Sequence, residues 1–247
     1  MKYENFIYAY RASILCQNSY NEEYGISPME FLITEFMPHE ITTIMENFTN
    51  KLTFYTAKDA ENVLYVVFRG TDSCTNWFEN FMFFPKKIKP YGNTNTYIKV
   101  HTGFYNEYQT LRPHIFSLIK EKYSDCKEII VAGHSLGSAL AELCAVDIQY
   151  NFGIVPLVFG FGSPRVGNKQ FVNSYKKRIP TCYEFSFNND PVTKVPLEIM
   201  GYKHINLLKL IGVSCKWWSW IPLIGRFSSH FPQNYVRASS EISILPN

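Results

Sequence analysis

Hydrophobic residues fall into two rhythms along this chain. Short bursts rich in β-branched and aromatic residues occupy 52–57, 63–68, 129–132, 155–161 and 182–187, and these read as strands. Between them Phe104, Tyr108, Leu111, Ile115 and Leu118 recur at helical spacing, as do Leu136, Leu140, Leu143, Ala145 and Ile148. Strand alternating with helix predicts an α/β fold, a central and mostly parallel sheet with helices on both faces. Residues 1–17 read as a folded helix, because Glu4 and Arg11 interrupt their apolar stretch and no small-residue cleavage site follows. No Gly/Ser/Pro linker, repeat or low-complexity tract breaks the pattern, so a single domain over 1–247 is expected.

Composition narrows the class of function. The chain has 247 residues, 46% hydrophobic and 17% aromatic, enough for one large core, and its 18% charged content is too low for a disordered chain. The net charge of +3 is mild, and the basic residues are scattered apart from Lys86-Lys87 with Lys89 and Lys176-Lys177-Arg178. Nucleic acid is therefore not expected as a partner, since backbone binding needs a concentrated basic face. The first run follows an apolar stretch, which leaves a weak attraction to an anionic membrane surface open. Six dispersed cysteines without CxxC spacing indicate neither a zinc site nor a disulfide framework, so a reducing, cytoplasmic location is expected. No apolar run approaches the roughly 18 residues of a membrane span.

The chemistry-bearing segment lies between 129 and 148. Ile129-Ile130-Val131-Ala132 leads into Gly133-His134-Ser135-Leu136-Gly137 and then a helical pattern, which is GxSxG in the context of strand, sharp turn and helix. Such a turn strains the serine backbone and lifts its hydroxyl above the sheet, and the flanking glycines are needed where a Cβ would clash. It also sets the backbone N–H of Leu136 and the start of a helix beside the hydroxyl, where negative charge on a carbonyl oxygen would be stabilised. A bland alternative is a tight turn whose serine caps a helix. That alternative leaves both glycines unexplained.

Further segments extend the pattern: Val67-Phe68-Arg69-Gly70-Thr71 with Asn76-Trp77, Val100-His101-Thr102-Gly103-Phe104, Phe161 to Asn168, and Asn189-Asp190-Pro191-Val192 with Val195-Pro196. With Gly133 to Gly137 they make the chain resemble the fungal-type, or class 3, triacylglycerol lipase family of α/β-hydrolases. The resemblance runs in family order from about residue 63 to about residue 205. It implies a serine esterase that cleaves lipid esters, with Thr71 giving the second oxyanion N–H. Read from the residues alone, Phe68 ends a buried strand and Gly70 lets a loop approach a ligand, which puts Thr71 where a sheet enzyme presents such donors. Arg69 and Arg165 look like scaffold residues that pin loops.

In this fold the triad follows the order serine, acid, histidine. Glu142 and Asp147 lie on the nucleophile helix and Glu184 within a strand, which leaves Asp190, just past the strand at 182–187. Two histidines follow. His204 sits in Gly201-Tyr202-Lys203-His204, like a GYxH segment that the family uses structurally, whereas His230 lies in a C-terminal loop before an apparent helix. His230 is the favoured base. The family shows an acidic residue beside this histidine and a tyrosine three or four later; here Ser229 precedes it and Tyr235 follows. His39, His101 and His114 read as structural, and His134 as a residue bonding behind the turn.

The mechanism needs no cofactor or metal. Between Trp77 and Pro85 the segment WFENFMFFP could lie over an apolar cleft as a lid or pack in the core, and Asn80 stands where many relatives carry aspartate. A second aromatic patch, Trp217, Trp218 and Trp220 with Ile221, Leu223 and Ile224, lines an acyl pocket, touches a membrane surface or packs in the core. A lipid or small ester is the expected substrate. The rival readings are an inactive lipid-binding module of the same fold, and a thioesterase or serine peptidase sharing the triad.

Overall fold

The protein is described by a computed structural model over residues 3–20, 40–46, 52–59, 61–71, 85–87, 97–122, 126–206, 209–212 and 228–244. The elements run α1 (Tyr3–Asn18), β1 (Glu40–Glu46), β2 (Leu52–Lys58), β3 (Val63–Phe68), β4 (Pro85–Lys87), β5 (Lys99–His101), α2 (Thr102–Lys122) and β6 (Glu128–His134). They continue with α3 (Leu136–Phe152), β7 (Leu157–Phe161), β8 (Gly167–Asn168), α4 (Lys169–Arg178), β9 (Cys182–Phe187), β10 (Tyr202–Lys203), β11 (Lys209–Ile211) and α5 (Pro232–Ile244). Short 3₁₀ turns occupy Val192–Lys194 and Glu198–Met200.

The main sheet has the order β1-β2-β3-β6-β7-β9-β11. Its first three strands are antiparallel, and β3, β6, β7, β9 and β11 are mutually parallel. All six residues of β3 and all five of β7 are buried, as expected of strands covered on both sides. Alternate side chains divide two cores. Leu64, Val66 and Val131 pack with α2, α3 and Phe171, Val172 and Tyr175 of α4, whereas Tyr65, Val67, Ile130 and Phe159 pack with α1 and α5.

Helix α3 is buried at Gly137 through Cys144 and beyond, because the sheet lies on one side of it and α2 and α4 on the other. Asp147 fastens it to α2, accepting from Tyr108 Oη at 2.8 Å and Arg112 Nε at 2.5 Å. The platform carrying Ser135 is thus packed on every side, and truncating a core residue such as Leu140 to alanine would cost about 2–5 kcal/mol.

The expected strand at 155–161 begins only at Leu157. Pro156 has no N–H to give a ladder, and Val155 is exposed. A small antiparallel sheet, β10-β8-β5-β4, is an addition to the sequence reading. Of the segment read as a lid (77–85) only Pro85, the first residue of β4, is described, and the tryptophan patch (217–224) lies outside the described residues. No helix among the described residues is long and apolar enough to cross a membrane.

Candidate active site

Ser135 stands at the junction of β6 and α3 with φ 59° and ψ −127°, the left-handed conformation that strand-to-helix elbows force on their central residue. Such a geometry costs of order 1–3 kcal/mol and persists only where the surroundings impose it. They do. Ser135 N donates to Phe161 O at 2.9 Å, a Cβ on Gly133 would come within 2.2 Å of Gly137 C, and one on Gly137 within 2.2 Å of Phe68 O. Both glycines of the motif are therefore dictated by contact between strand, elbow and helix.

The loop after β3 passes against this elbow. A Cβ on Gly70 would lie 3.0 Å from Ser135 Cβ and 2.7 Å from His134 O. Only glycine lets the chain come so near, and the next residue is Thr71. The Thr71 hydroxyl is buried without a hydrogen-bond partner among the described residues. Leu136, the other expected oxyanion residue, opens α3 directly after the serine. Leu136 thus adjoins Ser135 in the chain, and Thr71 follows the glycine that packs on the elbow.

Asp190 follows β9 and is fully buried. Its Oδ1 accepts from Val192 N at 2.8 Å. Its Oδ2 accepts from His230 Nδ1 at 2.7 Å and from Tyr235 Oη at 2.5 Å. Thr193 Oγ1 donates to the Asp190 carbonyl at 2.8 Å, which closes the turn around the acid. Asp190 and His230 are thus a direct pair across 40 positions of sequence. With three donors on its two oxygens, the carboxylate leaves Nδ1 of His230 as the protonated ring nitrogen that faces it.

The Asp190–His230 pair and Ser135 meet on one turn. Phe161 O receives Ser135 N, and the next residue, Gly162 at φ 62°, has room for no side chain: a Cβ there would be 2.9 Å from Asp190 Oδ2 and from His230 Cε1. The Phe161–Gly162 turn is the hub on which the elbow, the acid and the imidazole are assembled.

The competing residues are engaged elsewhere. Nε2 of His204 donates to Thr193 O at 2.7 Å and its Nδ1 faces Glu184 Oε1 at 3.3 Å, so that ring joins β9 to the 3₁₀ turn. Glu142 is buried against Glu184, and burial first, then the Glu184 charge, push its carboxyl well above the ordinary range. His101 is buried with its Nδ1 accepting from Phe104 N, and His114 is exposed on α2. His39 lies outside the described residues. Arg165 behaves as the sequence suggests, donating to Lys194 O and, at 2.9 Å, to Pro196 O, which pins the loop after Asp190.

Tyr235 is the residue whose part the sequence did not reveal. Burial, then the Asp190 carboxylate, push its hydroxyl well above the usual range, so it remains a donor. It also accepts from Phe187 N at 3.1 Å, tying the acid to the end of β9. The signal was a tyrosine near the family's distance from the base, obscured because it comes five positions after His230.

With this geometry in hand, comparison with known proteins is informative. The family model described as lipase (class 3) matches residues 65–200, more than half of the chain. The chain is 32% identical over 153 residues to a lipase of Rhizomucor miehei, covering 59% of this chain and 41% of that protein. It is 32% identical over 159 residues to the secreted mono- and diacylglycerol lipase A of Penicillium cyclopium, covering 62% and 49%. The chain thus spans less than half the length of these curated relatives. Lipase II of Rhizopus niveus superposes with a TM-score of 0.69 at 22% identity, over 83% of this chain and 79% of that one, which is the α/β-hydrolase fold. On the extent of the family match and on a shared architecture, the chain belongs to the class 3 lipase family.

Proposed function

We propose that the protein is a serine esterase that hydrolyses carboxylic esters of lipids with Ser135, His230 and Asp190 as its triad. The observation that carries this reading is the Phe161–Gly162 turn, which touches the strained serine on one side and the 2.7 Å Asp190–His230 pair on the other. His230 Nε2 takes the Ser135 proton as the hydroxyl oxygen attacks the ester carbonyl. Backbone N–H groups of Leu136 and Thr71, with the Thr71 hydroxyl, hold the resulting oxyanion. Asp190 keeps His230 in the tautomer with Nδ1 protonated and stabilises the imidazolium, which then protonates the leaving alcohol. Water, deprotonated by His230, attacks the acyl-enzyme and releases the acid while the proton returns to Ser135.

The test is labelling by a fluorophosphonate together with a chain-length series of p-nitrophenyl esters, run on the wild type, Ser135→Ala, His204→Ala and His230→Ala. Labelling lost only with Ser135, and turnover lost with Ser135 and His230 but kept without His204, is the expected result. An unlabelled wild type would point to an inactive lipid-binding module instead. Preference for a thioester or amide over the ester would favour the other leaving-group rivals.

We further propose that substrate is met at an anionic lipid surface. Leu197, Ile199 and Met200 are exposed on the loop that leaves the Asp190 turn, with Ile199 92% accessible, and Tyr97 shares a surface cleft with Met200, Lys99 and Lys169. Four neighbouring apolar groups flanked by lysines fit an anionic bilayer better than bulk water. Ile199→Glu should weaken co-sedimentation with phosphatidylglycerol-containing vesicles and leave hydrolysis of a soluble acetate ester as it was. Unaltered sedimentation would refute the surface.

A single domain over 1–247 and a reducing, cytoplasmic compartment complete the reading. The second rests on the dispersed cysteine spacing of the sequence, with no CxxC pair.

A further inference from the structure

The residue before the nucleophile is a histidine buried at a position where alternation turns its side chain away from the elbow's open side. Its ring lies 4.6 Å from that of His230 and 5.5 Å from that of Tyr235, centroid to centroid, on the α1 and α5 side of the sheet. Both nitrogens are engaged. Nε2 is 2.7 Å from the carbonyl oxygen of His230, and Nδ1 is 2.8 Å from the hydroxyl of Tyr20, which follows α1.

Those two contacts fix the protons. A carbonyl oxygen only accepts, so Nε2 of His134 must donate. Burial, then the nearby His230, hold this imidazole well below the usual range, so it carries one proton and Nδ1 presents a lone pair. Tyr20 therefore donates to His134, which donates to His230 O. The same hydroxyl packs against the loop before Thr71: a Cβ on Gly70 would fall 2.2 Å from it, and the Arg69 guanidinium lies over the Tyr20 ring at 5.4 Å. Tyr20 thus braces the two residues that precede Thr71.

We propose that Tyr20 and the buried His134 form a positioning relay, which sets the backbone of His230 and the Gly70–Thr71 loop at a fixed spacing around Ser135. This rests on the hydrolase reading above. Each acts by placing another group. The base and the oxyanion donors arrive from chain segments far apart, Tyr20 and His134 themselves being 114 positions apart. A relay with defined donor direction holds the two at once, which apolar packing would do less exactly, and small misplacements near a reacting centre are costly in rate.

The experiment pairs turnover with a probe of the proton itself. Tyr20→Phe keeps the ring and deletes the donor; it should lower kcat for p-nitrophenyl butyrate about tenfold, with KM and melting temperature little altered. His134→Leu should lose more, roughly 100-fold, and His134→Gln should recover most of that loss, because its amide presents an acceptor and a donor at similar separation. Nitrogen-15 spectra of the wild type should show His134 neutral with Nε2 protonated from pH 5 to 8, and a shift of its Nδ1 resonance in Tyr20→Phe. Finding the proton on Nδ1, or full kcat in Tyr20→Phe, overturns the relay. The spectra report it whether or not the wild type turns over esters, so failure of the esterase reading and failure of the relay are told apart.

Discussion

Asp190 meets His230 at 2.7 Å, and Glu184 meets His204 at 3.3 Å. Both pairs join a buried carboxyl to an imidazole, both carboxyls come from β9 or the turn after it, and the 192–194 turn touches both. What separates them is the rest of each shell. Asp190 is ringed by donors, the amide of Val192, the hydroxyl of Tyr235 and Nδ1 of His230. Glu184 accepts from Asn206 N at 2.8 Å but also faces a second carboxyl, Glu142. His204 spends Nε2 on the Thr193 carbonyl, whereas His230 sits against Gly162 beside the elbow. An acid–histidine contact thus becomes a candidate for catalysis through what surrounds it: a shell of donors on the acid, and a ring packed against the turn that also holds the elbow serine.

The sharpest break between the pairs comes from removing each imidazole. His230→Ala should reduce kcat by about 10⁵–10⁶-fold, as loss of a triad base does elsewhere, and Ser135→Ala by the same order. His204→Ala should keep kcat within about threefold and instead lower the melting temperature, since it leaves Thr193 O short of a donor and opens a gap beside Glu184. Equal kinetic damage from both histidine variants would erase the distinction drawn here. Next in size is Asp190→Asn. It preserves shape but lets the amide donate to Nδ1 and reverses the tautomer of His230, for a loss of roughly 10⁴-fold in kcat. Steady-state rates on a soluble ester, with folding checked by melting, measure all of these.

The elbow was legible because its residue spacing is local. Gly133 is forced by contact with Gly137 inside the strand, turn and helix, and Gly137 by Phe68 O at the end of β3, so the paired glycines mark the turn in the sequence although one constraint comes from a neighbouring strand. Asp190 is proposed from its place after a buried strand; chain order leaves both His204 and His230, and the GYxH resemblance with a C-terminal loop position favours His230. Tyr235 and Tyr20 were not assigned, because each acts on a partner 45 or 114 positions away and no local periodicity marks such a contact. Strands of two or three residues, as in the small sheet, are too short to show alternation, and β1 carries Glu40, Thr42, Thr43 and Glu46 where a strand pattern wants apolar residues.

Tyr235→Phe tests the donor shell of the acid. It removes one bond to Asp190 Oδ2 and leaves the ring among Phe161, Phe187 and His134. A hydrogen bond to a charged group contributes about 1.5–3 kcal/mol, part of which is recovered by relaxation, so kcat should fall by about tenfold. The Phe187 amide also loses its acceptor, so some stability goes with it. An unchanged kcat would mean that Val192 N and His230 alone hold the carboxylate.

The smallest effect belongs to the other pair and is one of stability. The Glu142 carboxyl is held well above its ordinary value of 4.5 by burial and then by the Glu184 charge. Between 4.5 and that raised value the folded chain holds a proton that the unfolded chain has released, so stability falls as pH rises across the interval. Glu142→Gln keeps a donor toward Glu184 and removes the titration. The variant should therefore melt higher than the wild type, and by more at pH 8 than at pH 5, each kcal/mol regained appearing as about 2–4 °C. A gain of equal size at both pH values would show that no proton is taken up there on folding, and that Glu142 and Glu184 do not differ from the Asp190 site in the way described.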